Sequence, residues 1–240
     1  MSASSKKRTV LVSGASAGIG RACALQLARR GDTVLAMGRR VDALQALVRE
    51  APAGSIEMLA GDLNDAAYLD RIDADLARCD VFINNAGVLR YAPLMDLSDD
   101  DIAWMFQTNV MAAVRLTRRV ARHMVARQGG HIVFMSSIAA REVYRLASGY
   151  CATKHALSAF ARSFRLELQG FGIKVTEVAP GMVDTQIREG SDHPAVIAAM
   201  QARRFSPLTS DEVASAVVYA LESTPNLCPD LIELRPLGSV

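Results

Sequence analysis

The chain has 240 residues, half of them hydrophobic, which suits a single α/β domain with a sizeable core. A formal net charge of +2 gives no basis for a nucleic-acid or anionic-membrane partner. No run approaches the length of a membrane span, and the polar start Met1–Arg8 lacks the apolar stretch of a signal peptide. The four cysteines, Cys23, Cys79, Cys151 and Cys228, share no metal-like spacing. Free thiols in a reducing compartment, and so a cytoplasmic protein that binds no metal, are expected.

Residues 1–8 read as a flexible tail with Lys6-Lys7-Arg8 solvated, and residues 9–240 as one domain. Thr9–Val12 is a short buried strand that ends in a glycine turn, and Ile19–Arg30 follows with helical spacing up to Gly31-Asp32. Next come a strand over Thr33–Met37, a helix over Val41–Arg49, a strand over Ile56–Ala60, a helix over Asp65–Ala77 and a strand over Val81–Ile83. One long helix is predicted from Ser98, its N-cap, to Arg127, with Gly129-Gly130 as its stop. The strand His131–Met135, a helix over Ser148–Gln169, the strand Lys174–Val178, a helix from Ser210 as N-cap to Glu222, and the strand Leu231–Leu234 complete the chain. The stretch 185–207 is the least regular and is the expected place for a substrate flap. Strands alternating with helices in this rhythm specify a doubly wound Rossmann-type α/β domain, with about seven parallel strands and helices on both faces.

After the first strand runs Ser13-Gly14-Ala15-Ser16-Ala17-Gly18-Ile19-Gly20. Glycines there permit a sharp turn and close approach of backbone to a pyrophosphate, and the next helix offers free N–H groups and its positive dipole end. A glycine triplet alone is weak, but one placed between a strand and a helix near the chain start marks a dinucleotide site. The second strand ends in Met37-Gly38-Arg39-Arg40, with no carboxylate for ribose hydroxyls and two arginines suited to a 2′-phosphate. NADP(H) is therefore expected over NAD(H), with Arg39 and Arg40 as the candidate phosphate partners.

Tyr150 and Lys154 are four apart on a predicted helix and share a face. A free phenol titrates near about 10, and a neighbouring ammonium favours the phenolate, so the pair can serve as a tuned acid/base. Alone, Tyr-x3-Lys is a common chance pair. With the rest of the chain it resembles the short-chain dehydrogenase/reductase family in its compact single-domain form. The resemblance covers residues 9–236. It rests on the Gly14-x3-Gly18-x-Gly20 loop, Asp62, Asn84-Asn85-Ala86-Gly87, Asn109, Ser137, Tyr150-x3-Lys154 and Pro180-Gly181, in that order.

The resemblance implies a role for each position. Gly14, Ser16, Gly18, Ile19 and Gly20 would hold the pyrophosphate, and Asp62 with Leu63 would meet the adenine. Asn85, Ala86 and Gly87 would brace the sheet against the cofactor. Pro180, Gly181 and Val183 would line the cofactor, and Thr185 would meet its nicotinamide carboxamide or a phosphate. Ser137, rather than Ser136, would hydrogen-bond the substrate oxygen, because it stands thirteen residues before Tyr150. Tyr150 would exchange the proton, Lys154 would hold the ribose and tune the tyrosine, and Asn109 would orient a proton-relaying water. The family also implies a homo-oligomer, a tetramer or a dimer, built on the 98–127 and 148–169 helices. Two departures are Ser13, where threonine is frequent, and a short interval of about twenty residues between Asp62 and Asn84, so the helix there should be short.

The remaining residues carry weaker signals. His123, His131, His155 and His193 share no ligand spacing, although His193 lies in the flap. Trp104 and Phe106 read as packing or subunit-interface residues, Arg141 as structural, and Arg90 and Arg145 as solvated arginines that could alternatively anchor an acidic substrate. The expected activity is NADP(H)-dependent interconversion of a small carbonyl and its alcohol. The alternatives are an NAD-dependent 3-hydroxy-acid dehydrogenase, a dinucleotide-binding regulator without chemistry, and an epimerase or dehydratase. Retention of Tyr150 and Lys154 argues against the regulator. The roughly sixty residues after Pro180 are too few for the larger substrate domain usual in the epimerases and dehydratases.

Overall fold

The computed structural model describes residues 7–239. Seven strands form one all-parallel sheet in the order β3-β2-β1-β4-β5-β6-β7. They are β1 (Thr9–Ser13), β2 (Thr33–Gly38), β3 (Ile56–Ala60), β4 (Val81–Asn84), β5 (Gly130–Met135), β6 (Ile173–Pro180) and β7 (Leu231–Leu234). The connecting helices are α1 (Gly18–Arg29), α2 (Val41–Glu50), α3 (Ala66–Arg71), α4 (Asp73–Ala77), α5 (Asp99–Phe106), α6 (Ala113–Arg127), α7 (Ser148–Leu168), α8 (Pro194–Gln201) and α9 (Ser210–Leu221).

Alternation along each strand splits the core in two. Val10 and Val12 of β1, Val34 and Ala36 of β2 and Ile83 of β4 face α1, α2 and α9. Leu11, Leu35, Phe82, Ile132 and Phe134 face the opposite way, against α4, α6 and α7. Both faces of the sheet are covered, so its strands read as continuous apolar runs. The chain reverses direction across the sheet between β1 and β4, and in such sheets the crevice at the strand ends beside this switch point is the ligand site.

Several boundaries differ from those expected. The long helix is interrupted: a π-helical segment, Gln107–Ala112, separates α5 from α6. Ser98 caps α5 as expected, its Oγ accepting from the Asp101 N–H at 3.1 Å. α6 ends not on the glycines but on Gln128, which adopts the left-handed conformation at φ +56°. The predicted 65–77 helix is two short helices broken at Ile72, in keeping with the short interval there. The cap of α9 is Thr209 rather than Ser210, because Thr209 and Glu212 form a reciprocal capping box. The irregular stretch holds a 3-10 turn, Gln186–Arg188, and the helix α8, capped by His193 with Pro194 opening it.

Arg8 is not a solvated tail residue. Its Nη2 pairs with Asp32 Oδ2 at 2.7 Å and its Nη1 donates to the Leu221 carbonyl at 3.0 Å, which ties the start of β1 to two helix ends. Lys7 is exposed, and residues 1–6, with Lys6, lie outside the described part. Among the described residues no helix is long and apolar enough to cross a membrane.

Candidate active site

β1 delivers Ser13 to the switch point fully buried. Its Oγ accepts from the N–H groups of Asn85 and Ala86, both at 3.0 Å. Asn85 returns the contact, its Nδ2 donating to the Ser13 carbonyl at 3.0 Å and to that of Gly14 at 3.4 Å. The hydroxyl that replaces the more usual threonine thus locks the glycine loop to the turn after β4. Gly14 (φ +70°) and Gly18 (φ +52°) take left-handed conformations that favour glycine. At Gly20 a Cβ would stand 2.4 Å from the Gly14 carbonyl oxygen, so the first turn of α1 can lie against the loop only without a side chain.

The N-cap of α1, Ala17, has no side chain to satisfy the first-turn N–H groups, and no acidic residue occupies that turn. The result is a cradle of free donors at the positive end of a 12-residue helix, suited to a phosphate. Arg40 spans its rim. Its Nε lies 3.4 Å from Ser16 Oγ, its Nη2 3.3 Å from the Ser16 carbonyl and its Nη1 3.4 Å from Gln186 Oε1. Arg39 is exposed and has no hydrogen bond or ion pair among the described residues. Asp62 closes a local turn, its Oδ1 accepting from the Asn64 backbone at 2.9 Å, and Leu63 packs on the core beside it.

The other half of the site hangs on α7. Tyr150 and Lys154 are both buried, one turn apart, with Nζ 5.7 Å from the phenol ring centre. Lys154 Nζ donates to the Met135 carbonyl at the end of β5, at 2.9 Å. Ser137 begins the turn that follows β5, its Oγ accepting from Ala139 N–H at 3.1 Å and donating to the Pro180 carbonyl at 3.3 Å. Asn109 stands in the π segment. Its Oδ1 accepts from Val88 N–H at 2.7 Å, and its Nδ2 donates to the Val88 carbonyl at 2.8 Å and to Thr153 Oγ1 at 3.1 Å. Thr153 in turn donates to the Tyr150 carbonyl at 2.8 Å. The Asn109 amide is therefore a positioning group that fixes the turn after β4 to the tyrosine-bearing helix, and both its amide protons are engaged by protein.

The electrostatics depart from the expectation of a phenol tuned by its lysine. Burial pushes Tyr150 up from the ordinary tyrosine value, and the neighbouring Tyr91 adds to this; the Ser137 hydrogen bond and the Arg188 charge pull the other way. The Lys154 ammonium donates to the Met135 carbonyl at 2.9 Å. Its own value is lowered to about 8 by burial, partly offset by Glu177. Glu177, on β6, is a buried carboxylate absent from the sequence reading. Its Oε2 accepts from Ser158 Oγ at 3.0 Å and pairs with Arg141 at 2.9 Å, which accounts for Arg141 as structural.

A cavity of about 400 Å³ joins the two halves, running from Ile19 and Asn85 at the glycine loop to Ser137, Tyr150 and Lys154, with Thr185 in its wall. The Thr185 methyl lies 3.1 Å from where a Gly18 Cβ would be, so the segment after β6 closes over the loop. Pro180, Gly181 and the buried Val183 line the cavity as well. Ser136, also in the lining, has a buried hydroxyl with no partner. A cradle that side chains would fill, an orphaned hydroxyl and a buried ammonium together fit a bound dinucleotide. Two further lining residues escaped the sequence reading: Tyr91, whose ring meets Tyr150 edge-on at 6.0 Å, and Arg188. His193 is spoken for as the α8 cap and by Asp96 at 3.3 Å, while Arg90 pairs with Asp101 at 3.2 Å.

A doubly wound parallel sheet with an anion cradle at its switch point and a serine, tyrosine and lysine over one cavity has the architecture of a dinucleotide-binding oxidoreductase. Residues 8–195 match the family model described as short chain dehydrogenase. The chain belongs to the short-chain dehydrogenase/reductase family and is an oxidoreductase. It is 42% identical over 179 residues to an uncharacterised short-chain type dehydrogenase/reductase of Sinorhizobium fredii, covering 74% of this chain and 70% of that one. It is 32% identical over 230 residues to an NADP-dependent 3-hydroxy acid dehydrogenase of Schizosaccharomyces pombe, covering 92% and 89%. Among solved structures, the closed form of serine dehydrogenase complexed with NADP+ superposes with a TM-score of 0.85 at 29% identity, covering 94% and 93% of the two chains.

Proposed function

We propose that this enzyme interconverts a small carbonyl compound and its alcohol with NADP(H), with Tyr150 as the general acid/base. The observation that carries the reading is the convergence of Ser137, Tyr150 and Lys154 on the cavity that opens onto the glycine loop. A nicotinamide bound there supplies or accepts the hydride. Ser137 hydrogen-bonds the substrate oxygen and sets it against the Tyr150 hydroxyl. A phenol is protonated at neutral pH, so Tyr150 can donate to the carbonyl oxygen as the hydride arrives. Lys154 holds the ribose hydroxyls and keeps positive charge beside the phenol. Asn109 keeps α7 in place. Asp62 and Leu63 flank the adenine, and Asn85, Ala86 and Gly87 back the cofactor from β4.

The preference for NADP(H) rests on Gly38, Arg39 and Arg40, and is supported by the NADP named for two of the relatives. A Cβ at Gly38 would meet only Ser16 at 3.4 Å and Leu44 at 3.6 Å, so a side chain fits there. A charge-assisted bond from a guanidinium to the 2′-phosphate contributes roughly 1.5–3 kcal/mol, or about one to two decades of preference. The parent is expected to favour NADPH over NADH in kcat/KM by that margin. Gly38→Asp combined with Arg39→Leu is expected to reverse the order, by supplying a ribose acceptor and removing a phosphate partner. A parent that prefers NADH, or a double variant that keeps the NADPH preference, contradicts the assignment.

The outer faces of α5–α7 expose Trp104, Phe106, Met111, Phe160 and Leu166 beside a groove between α6 and α7. We infer a homo-oligomer, a tetramer by family resemblance, formed on that surface. Unpaired Cys23, Cys79, Cys151 and Cys228 accord with a cytoplasmic setting.

A further inference from the structure

We propose that Arg188 is a substrate-specificity residue that binds a carboxylate, making small oxo acids and hydroxy acids the preferred substrates. The reaction type rests on the function proposed above; the anion site rests on separate atoms.

Arg188 closes the 3-10 turn Gln186–Arg188 and lines the same cavity as Ser137, Tyr150 and Tyr91. Its Nη1 donates to the Val183 carbonyl at 2.9 Å, which fixes one edge of the guanidinium. Its Nε is buried and has no hydrogen-bond partner. A buried, unpaired donor on a cation is rare, because it has given up water without replacement. A carboxylate accepts two parallel N–H bonds from the free edge of a guanidinium, which a neutral oxygen cannot do as well.

The charge inventory of the cavity points the same way. Lys154, Arg145, Arg188 and Arg235 line it against a single carboxylate, Glu142. That carboxylate is held by Arg235, which also pairs with Glu233. Arg188 has no ion pair among the described residues, so the cavity holds an arginine whose charge no carboxylate offsets. The Arg188 side chain also bonds Tyr91, and its charge favours the phenolates of Tyr91 and Tyr150, the tyrosines that share its cavity. The segment is also anchored: Tyr91 N–H donates to Ser191 Oγ at 3.0 Å, and the Arg90 guanidinium lies 2.8 Å from where a Gly190 Cβ would be. The cavity also has apolar lining residues, Leu89, Val196 and Met200 among them, suited to a short carbon skeleton.

The test compares a 3-oxo acid with its neutral methyl ester, acetoacetate against methyl acetoacetate, under NADPH. The parent is expected to show a higher kcat/KM for the acid. Arg188→Gln is expected to lower the acid-to-ester ratio roughly 10- to 100-fold, mostly through KM, as loss of a charge-assisted bond predicts. Arg188→Lys, which keeps the charge but not the fork, is expected to fall between them and guards against a folding defect in the glutamine variant. Calorimetric titration with malonate, which cannot be turned over, reads the anion site alone: its Kd should weaken at least tenfold in Arg188→Gln. Malonate bound equally by parent and variant, or not bound by the parent, overturns the proposal, as does a parent that prefers the ester. Malonate binding that depends on Arg188 without any NADPH turnover would leave the anion site standing and remove the proposed NADPH-dependent carbonyl reduction instead.

Discussion

Tyr150→Phe is expected to lower kcat/KM for carbonyl reduction by roughly 10²–10⁴-fold, the usual worth of a positioned general acid. The dissociation constant for NADPH, read by fluorescence, should stay within a few-fold of the parent's. The ring would be retained, and with it the edge-on contact to Tyr91 and the packing of α7, so only the proton and its oxygen are removed. Tyr150 is hydrogen-bonded to Ser137, whereas Lys154 is turned to the Met135 carbonyl and the Asn109 amide is engaged with Val88 and Thr153. Turnover within a few-fold of the parent would show that the acid is another group.

Gly18→Val is expected to weaken NADPH binding by roughly two decades or more, equivalent to about 2.7 kcal/mol at the phosphate loop. The folded structure should survive. The three loop glycines differ in what a side chain would meet. At Gly14 a Cβ would lie 2.9 Å from the Ala86 backbone and at Gly20 2.4 Å from the Gly14 carbonyl, so substitution there would disrupt the loop itself. At Gly18 the only close neighbours are side-chain carbons of Thr185, the nearest at 3.1 Å, and the cost is a left-handed φ of +52°. That conformation costs an ordinary residue about 1–2 kcal/mol, which for a domain of this size lowers Tm by several degrees. The branched side chain would meanwhile occupy the space over the N–H groups of α1. NADPH affinity equal to the parent's would mean that the phosphates bind elsewhere.

Apolar runs such as Thr9–Val12 and Val81–Ile83 were legible as strands because both faces of the sheet are covered and nothing polar interrupts them. The breaks inside helices were not. A π turn adds one residue per turn and leaves the apolar spacing of 98–127 nearly intact, so the segment that presents Asn109 to Val88 has no signature in composition. Two signals were available and missed: Thr209-x-x-Glu212 has the spacing of a capping box, and His193-Pro194 is a competent helix start inside the stretch read as irregular.

Within the site, Gly14, Ser137, Tyr150 and Lys154 could be found because each lies in a local motif. Tyr91 and Arg188 could not. They reach Tyr150 only through the loop after β4 and the segment after β6, and nothing local distinguishes Arg188 from the other arginines of the chain. That the Lys154 ammonium bonds a strand carbonyl was unreadable for the same reason. Helical spacing places Tyr150 and Lys154 on one face, but the acceptor that takes the ammonium, the Met135 carbonyl, comes from β5.

Direct movement of a hydride between the nicotinamide and a carbonyl carbon in the cavity beneath Tyr150 is the expected chemistry. It is tested by supplying NADPH carrying deuterium at both C4 positions with acetoacetate or its methyl ester, and examining the alcohol by mass spectrometry. One deuterium on the carbinol carbon is expected, in step with NADPH consumed, with loss of that transfer in Tyr150→Phe. An alcohol formed without deuterium, or no NADPH consumed across a panel of small oxo acids and ketones, would contradict it.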